Sequence, residues 1–254
     1  MSAPNPRTFF IGFMNAVPAG LRVFLPVVMV ALVALFAGLG YVVARGQEDP
    51  GDGTFRFDLG PQEVTGLVQL LPYPTLTITE GNDNLAAGHV LMMSGQGKRG
   101  ADLGSAQDGD LVAVRGIKLQ RGELDMLQLG RSEPAEGTPP ALAEDTSLGR
   151  WRLTGELCDG KCLAGAMRPG TGLAHKACAD LCLIGGVPPI FVTTAPVVED
   201  LPGSEFLMVG APDGGPMADV LLDQVGSFIA LEGEIRRRGD LLIFLADPDT
   251  AEVL

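Results

Sequence analysis

The sequence predicts a mainly β protein with one N-terminal transmembrane helix, then two small β-barrel domains, the second with a Cys-rich helical insertion. Three observations carry that prediction. Val23 to Ala44 is an unbroken uncharged run. A strand-rich pattern then occurs twice, as DLVAVRGIKLQRGELDML (Asp110–Leu127) and SFIALEGEIRRRGDLLIF (Ser227–Phe244). All four cysteines fall inside the second, longer copy.

The uncharged run has the length of a membrane span. Its 22 residues, VFLPVVMVALVALFAGLGYVVA, make about 33 Å of helix, enough for a hydrocarbon core of ~30 Å. A cleaved signal would have a shorter apolar region of about 7–15 residues and a small-residue cleavage site after it. This run is longer and no such site follows, so a retained anchor at residues 23–44 is expected. Pro26 sits early enough to be tolerated in a first helical turn. Arg7, Arg22 and Arg45 flank the run with no acid before it, while Glu48, Asp49 and Asp52 follow. Positive charge stays on the cytoplasmic side. Residues 1–22 are therefore expected at the cytoplasmic face of an inner membrane, and the C-terminal domains in the periplasm. Phe9–Gly20 is apolar but too short to span. An interfacial segment and a plain lead-in to the anchor both stay open.

Beyond the anchor lie 15 basic and 31 acidic residues and only eight aromatics. Nucleic-acid binding needs a basic groove and stacking aromatics, so that class is excluded. Residues 45–59 read as a tether, 60–130 as the first β domain, 131–149 as a Pro-rich linker, and 150–254 as the second domain with an insertion at 158–189. EVTGLVQLL, HVLMMSG and DLVAVRGIKL concentrate or alternate Val, Leu and Ile between Gly, Asp and Asn turns, as strands do. Arg121-Gly122 and Arg238-Gly239 look like hairpin tips. Gly116 and Gly233 correspond at an offset of 117, whereas Thr65-Gly66 and Thr154-Gly155 correspond at 89. The difference of 28 residues has accumulated within the second copy. Glycine inside a strand pattern marks a bulge or sharp bend.

Gly109–Gly116 and Gly226–Gly233, each followed by a hairpin, make this arrangement resemble the oligonucleotide/oligosaccharide-binding (OB) fold, present twice. Membrane-anchored barrels of this type include the haem chaperone of cytochrome c maturation. The His-x3-Tyr haem-attachment motif of that family is absent here, so the resemblance implies architecture and not haem transfer.

The cysteines read Cys158-x3-Cys162-x15-Cys178-x3-Cys182. TGLAHKACADLCLIGG has helical character, with Thr171 as cap, Gly185-Gly186 as terminator and Pro188-Pro189 beyond. On that helix His175, Cys178 and Cys182 share one stripe, and Cys158 and Cys162 would face it from a glycine-rich loop, with Met167 close by. Two disulfides are the favoured reading, from Cys158 and Cys162 to Cys178 and Cys182, because bridges persist outside the cytoplasm. A Cys178–Cys182 bridge would restrain little. Copper, zinc or an iron–sulfur cluster at the same cysteines, with His175 and Met167 as further ligands, is the alternative, and an exchanging dithiol the third. Cys-x3-Cys followed by a methionine resembles the copper-binding stretch of cytochrome oxidase subunit II. It departs from that stretch in lacking the histidine, since position 166 is Ala and Met167 falls one residue late. His89 opens a strand and reads as structural. No nucleophile elbow, phosphate loop or helical metal motif points to catalysis.

These features predict a non-enzymatic accessory or assembly subunit of an envelope redox or respiratory membrane complex, without a cofactor. It would be held in the bilayer by residues 23–44 and meet other subunits through the Cys-rich insertion. The alternative is a periplasmic metal or electron carrier.

Overall fold

The structure is a computed structural model and describes residues 17–46, 51–140, 142 and 144–254. By compactness the chain divides into Met1–Asp49 and Pro50–Leu254. In the first unit a turn at Ala19–Leu21 leads into helix α1, Phe24–Gly46. Ala19–Val43 is long and apolar enough to cross a membrane, a property shared by anchors and signal sequences. Val30, Phe36 and Leu39 are all more than half exposed within the unit, as on a helix that is apolar on every side. Most of the Phe9–Gly20 segment lies outside the described residues.

The second unit is mainly β, with strands joined by loops and a few short helical segments. β1 (Thr54–Phe55), β2 (Gln62–Gln69), β3 (Thr75–Glu80), β4 (Val90–Ser94), β5 (Leu111–Arg121) and β6 (Leu124–Pro134) form one sheet. β7 (Thr146–Asp159), β8 (Pro189–Thr193), β9 (Phe206–Gly210), β10 (Phe228–Arg238) and β11 (Leu241–Val253) close into a five-stranded barrel. Around that barrel β7 pairs β8, β8 pairs β9, β9 runs parallel to β11, β11 pairs β10, and β10 returns to β7. The first sheet repeats this order. β2 pairs β3, β3 pairs β4, β4 runs parallel to β6, β6 pairs β5, and β5 returns to β2.

The sequence repeat has a direct structural cause. Gly66 and Gly155 occupy equivalent points of β2 and β7, and an added Cβ would stand 2.4 Å from the Thr77 oxygen and 2.1 Å from the Val192 oxygen. Gly116 and Gly233 are equivalent in β5 and β10, with Cβ positions 2.3 Å from the Gln128 oxygen and 2.4 Å from the Leu245 oxygen. At all four, one strand folds tightly over its neighbour's carbonyl, which leaves no room for a side chain. The predicted tips are also real. Arg121 pairs Leu124 and Arg238 pairs Leu241 across two-residue turns, in which Gly122 and Gly239 have φ of 55° and 56°.

β4 and β9 read as continuous apolar runs because both faces of each are covered. Leu91 and Met93 point into the interior of the first sheet with Val64, Leu76 and Leu127. Leu207 and Val209 point into the barrel with Leu157, Ile229 and Phe244. The alternate residues Met92 and Met208 meet in a third apolar layer with Met126, Ile190, Ile243 and Leu245. This seam makes residues 50–254 one compact body.

Element boundaries differ from expectation in two places. The tether at 45–59 is not free throughout, because Thr54 and Phe55 pair with Gln120 and Leu119 and Gly53 lies against Ala164 and Gly165. Arg168 Nη2 also donates to the Gly53 oxygen at 3.2 Å. The linker at 131–149 is shorter than its composition implies, since β6 runs to Pro134 and β7 begins at Thr146. Polar exposed strand ends look like linker in sequence because they bury nothing.

Gly116→Ala and Gly233→Ala are each expected to lower stability by about 1–3 kcal/mol, the usual cost of forcing atoms into filled space. The urea midpoint measures this. A midpoint equal to the parent's would remove the close-approach explanation.

Candidate metal centre

The thiol segment begins where β7 ends. Asp159 Oδ1 accepts a hydrogen bond from the Cys162 amide at 2.8 Å, which turns the chain back and starts a one-turn π-helical segment, Cys162–Ala166. Gly165 breaks that segment with φ 138°. After a loop, helix α2 runs from Lys176 to Ile184. It starts later than expected: His175, not Thr171, occupies the cap, and it makes no side-chain capping bond. Gly185 ends the helix as predicted, and an added Cβ there would stand 1.8 Å from the Lys98 oxygen. Gly185 thus serves both the helix end and a close crossing of two loops.

Cys178 and Cys182, four residues apart, lie on one face of α2. Their sulfurs and that of Cys162 fall within 4.8 Å of one another. Cys162 Sγ is 4.0 Å from Cys178 Sγ and 3.9 Å from Cys182 Sγ. Cys162 and Cys182 are buried with Val187, while Cys178 is half-buried. His175 is also buried and its Nε2 lies 3.0 Å from Asp159 Oδ2. Asp159, Cys162 and His175 make a second close group that shares Cys162 with the first.

The expectation of two bridges is corrected, because all four cysteines are unbridged. Cys158 does not face the helix at all. It sits in β7, 1% exposed, in the seam between the sheets, and its thiol donates to Glu156 Oε1 at 3.1 Å. A strand alternates its side chains, so a residue read as loop is sent to the opposite side of the sheet. Met167 is 45% exposed and is not among the side chains packed around the three sulfurs.

Two lysines complete the surroundings, and sequence reasoning missed both. Lys98 reaches over from the β4–β5 loop. Its Nζ is 2.7 Å from Cys178 Sγ, 3.1 Å from the Cys178 oxygen and 3.8 Å from Cys182 Sγ. Lys161, 3% exposed, donates to the oxygens of Gly95 and Gly97 at 2.6 and 2.8 Å. The Gly100 amide donates to the Gly185 oxygen at 2.8 Å, so loop 95–100 closes on the helix. Lys161 stands inside the Cys-x3-Cys motif and could have been noticed. Lys98 is 80 residues from Cys178 and left no local signal.

The electrostatics follow from these contacts. The hydrogen bond to Cys178 pushes the Lys98 pKa up. Burial pushes Lys161 down, against the pull of Cys182, Cys162 and Asp159. Burial, helped by Glu156, pushes the Cys158 thiol well up, so it stays protonated. Hydrogen bonding within the Cys162–Cys182 pair pushes Cys162 up and Cys182 down, with Lys98 favouring charge on Cys182. Cys182 is therefore the member of that pair that ionises first.

A metal ion bonded to sulfur at about 2.3 Å holds its thiolates about 3.8 Å apart in a tetrahedron and about 4.0 Å apart in a plane. The two separations from Cys162, 4.0 and 3.9 Å, match that range, and Cys178 and Cys182 lie within 4.8 Å of each other. In a [4Fe–4S] cluster each thiolate binds a separate iron, so those sulfurs stand farther apart. The donors thus fit one soft ion held by Cys162, Cys178 and Cys182. His175, already bonded to a carboxylate in the manner of metal-ligating histidines, stands beside Cys162.

A second polar cluster lies elsewhere, at a cavity of about 360 Å³ between the sheets. His89 Nδ1 is 2.6 Å from Asp240 and Nε2 is 2.8 Å from Asp125, and Lys118 is 2.9 Å from Asp125. These charges all have partners, and the cluster clasps β4 to the β10–β11 hairpin. Burial opposes the charge on His89, but the bonds to Asp125 and Asp240 outweigh it and raise its pKa to about 10. That lies above the unfolded value of about 6.5, so the clasp's contribution is complete below pH 6.5 and is lost as pH rises through 10. Asp125 and Asp240 are both held below the ordinary value; burial opposes this and His89 outweighs it. Their contribution is lost as pH falls through those depressed values.

The stability gap between the parent and His89→Gln should therefore be widest near pH 6 and shrink steadily towards pH 10, read by urea unfolding. A gap independent of pH would show that His89 acts through packing alone.

Compared with protein-family models, curated proteins and solved structures, the chain matches none.

Proposed function

We propose that this chain is a membrane-anchored, non-enzymatic envelope protein whose outer body carries a soft-metal centre at Cys162, Cys178 and Cys182. One observation carries the reading: three thiol sulfurs from two elements converge at metal-compatible spacing, 3.9 and 4.0 Å. Zinc and copper(I) both suit such donors. The scaffold is read as two OB-like barrels fused along the seam. Supporting this, both sheets pair first with second, second with third, third parallel to fifth, fifth with fourth and fourth with first. Basic residues before the apolar helix and acidic residues after it support a cytoplasmic N-terminus and a periplasmic body.

A second role rests on another observation. Leu173, Leu181 and Ile184 are 67%, 56% and 70% exposed on the same segment that supplies the sulfurs. Large apolar side chains gathered on one exposed segment favour protein contact. This fits an accessory subunit that meets a membrane redox complex through its thiol segment.

Elemental analysis of the full chain purified in mild detergent tests the centre. About one zinc or copper ion per chain is expected. Cys162→Ser, Cys178→Ser and Cys182→Ser should each lose it, and Cys158→Ser should keep it. Absence of metal from the parent, or retention by all three serine variants, would sink the reading.

A further inference from the structure

We propose that the same three cysteines form a thiol–disulfide switch, in which Cys178 attacks a disulfide oxidant and Cys162 resolves the product into a Cys162–Cys178 bridge. The switching chemistry stands on the thiols alone. Only its consequence, release of a bound ion, rests on the proposed metal centre.

The order of events follows from access and distance. Cys178 is the one member of the trio that is not buried, so an incoming disulfide meets it first. Exposed Lys98 marks the same side. Once Cys178 is joined to half of the oxidant, the next sulfur must come from close by. Cys162 lies 4.0 Å away on a different element, and can approach without distorting α2. Cys182 shares the helix with Cys178 one turn on, where the two Cβ vectors run side by side. Cys158, in the seam and bonded to Glu156, is out of reach.

The chemistry balances with a small disulfide as oxidant. The Cys178 sulfur attacks one sulfur of oxidised glutathione, the glutathione S–S bond breaks, and one glutathione leaves as thiolate. The Cys162 sulfur then attacks Cys178 Sγ, forming the protein disulfide and expelling the second glutathione. Two cysteines are oxidised, one disulfide is reduced to two thiols, and the two cysteine protons pass to the departing thiolates. Where an ion occupies the site, its positive charge leaves in place of those protons. Two of its three sulfur donors are consumed, and Cys182 alone cannot hold it.

The test treats the full chain in mild detergent with oxidised glutathione and reads thiols, peptide linkages and metal content together. Free thiols are expected to fall from four to two, with Cys162 linked to Cys178 and with Cys158 and Cys182 still reduced. Bound metal should drop at least tenfold in step. Cys182→Ser should lose metal yet still form the bridge, which separates the two proposals. A parent that holds metal while all four thiols stay reduced overturns the switch and leaves the metal centre standing. A parent that forms the bridge but never held metal supports the switch and removes the metal centre. Linkage of Cys178 to Cys182, or of Cys162 to Cys182, overturns the assigned order.

Discussion

Met92, Met126, Ile190, Met208 and Ile243 pack into one apolar layer between the two sheets, and the setting of the sulfurs depends on it. The strands that build the layer are counterparts: the parallel pair β4–β6 faces the parallel pair β9–β11. Each carries apolar side chains on both faces, one set for its own interior and one for the seam. Because the seam fixes the two sheets together, loop 95–100 of the first can be part of a site whose sulfurs all come from the second. Without the first sheet, Cys178 and Cys182 would lose the Lys98 ammonium that reaches over them.

The charges near the sulfurs follow the same logic. An ammonium taken out of water costs several kcal/mol unless something offsets it. Lys161 is buried and donates to two carbonyl oxygens. Carbonyl dipoles offset part of that cost, and negative charge on Cys182 and Asp159 offsets more. A buried lysine beside three thiols is sensible chemistry if those thiols work as thiolates. Metal binding and disulfide exchange both require this form.

How much could be read in advance depended on the range of the interactions involved. The apolar helix, the hairpin tips at Gly122 and Gly239, the end of α2 at Gly185 and the repeat of in-strand glycines were all legible. Each is set by local geometry or by a pattern of fixed period. The uninterrupted VLMMS and FLMVG runs declared strands buried on both faces but not what covered the second face. The cysteine cluster was half legible. Helical spacing brought Cys178 and Cys182 together, but a composition rich in glycine made the Cys158 region look like loop. It is the last stretch of a strand, and alternation along β7 takes Cys158 away from the others. Lys98 belongs to a contact spanning 80 residues, which no local reading recovers.

The docked end of the tether has a mechanical meaning. Gly53 and Thr54 press directly against Ala164 and Gly165, two and three residues from Cys162, and Arg168 grips the Gly53 carbonyl. The second unit thus begins, at Gly53, against the back of the turn that aims one sulfur of the trio. A pull on the chain ahead of Gly53 would load this turn and β1 together, which makes the leash and the sulfur geometry parts of one lever.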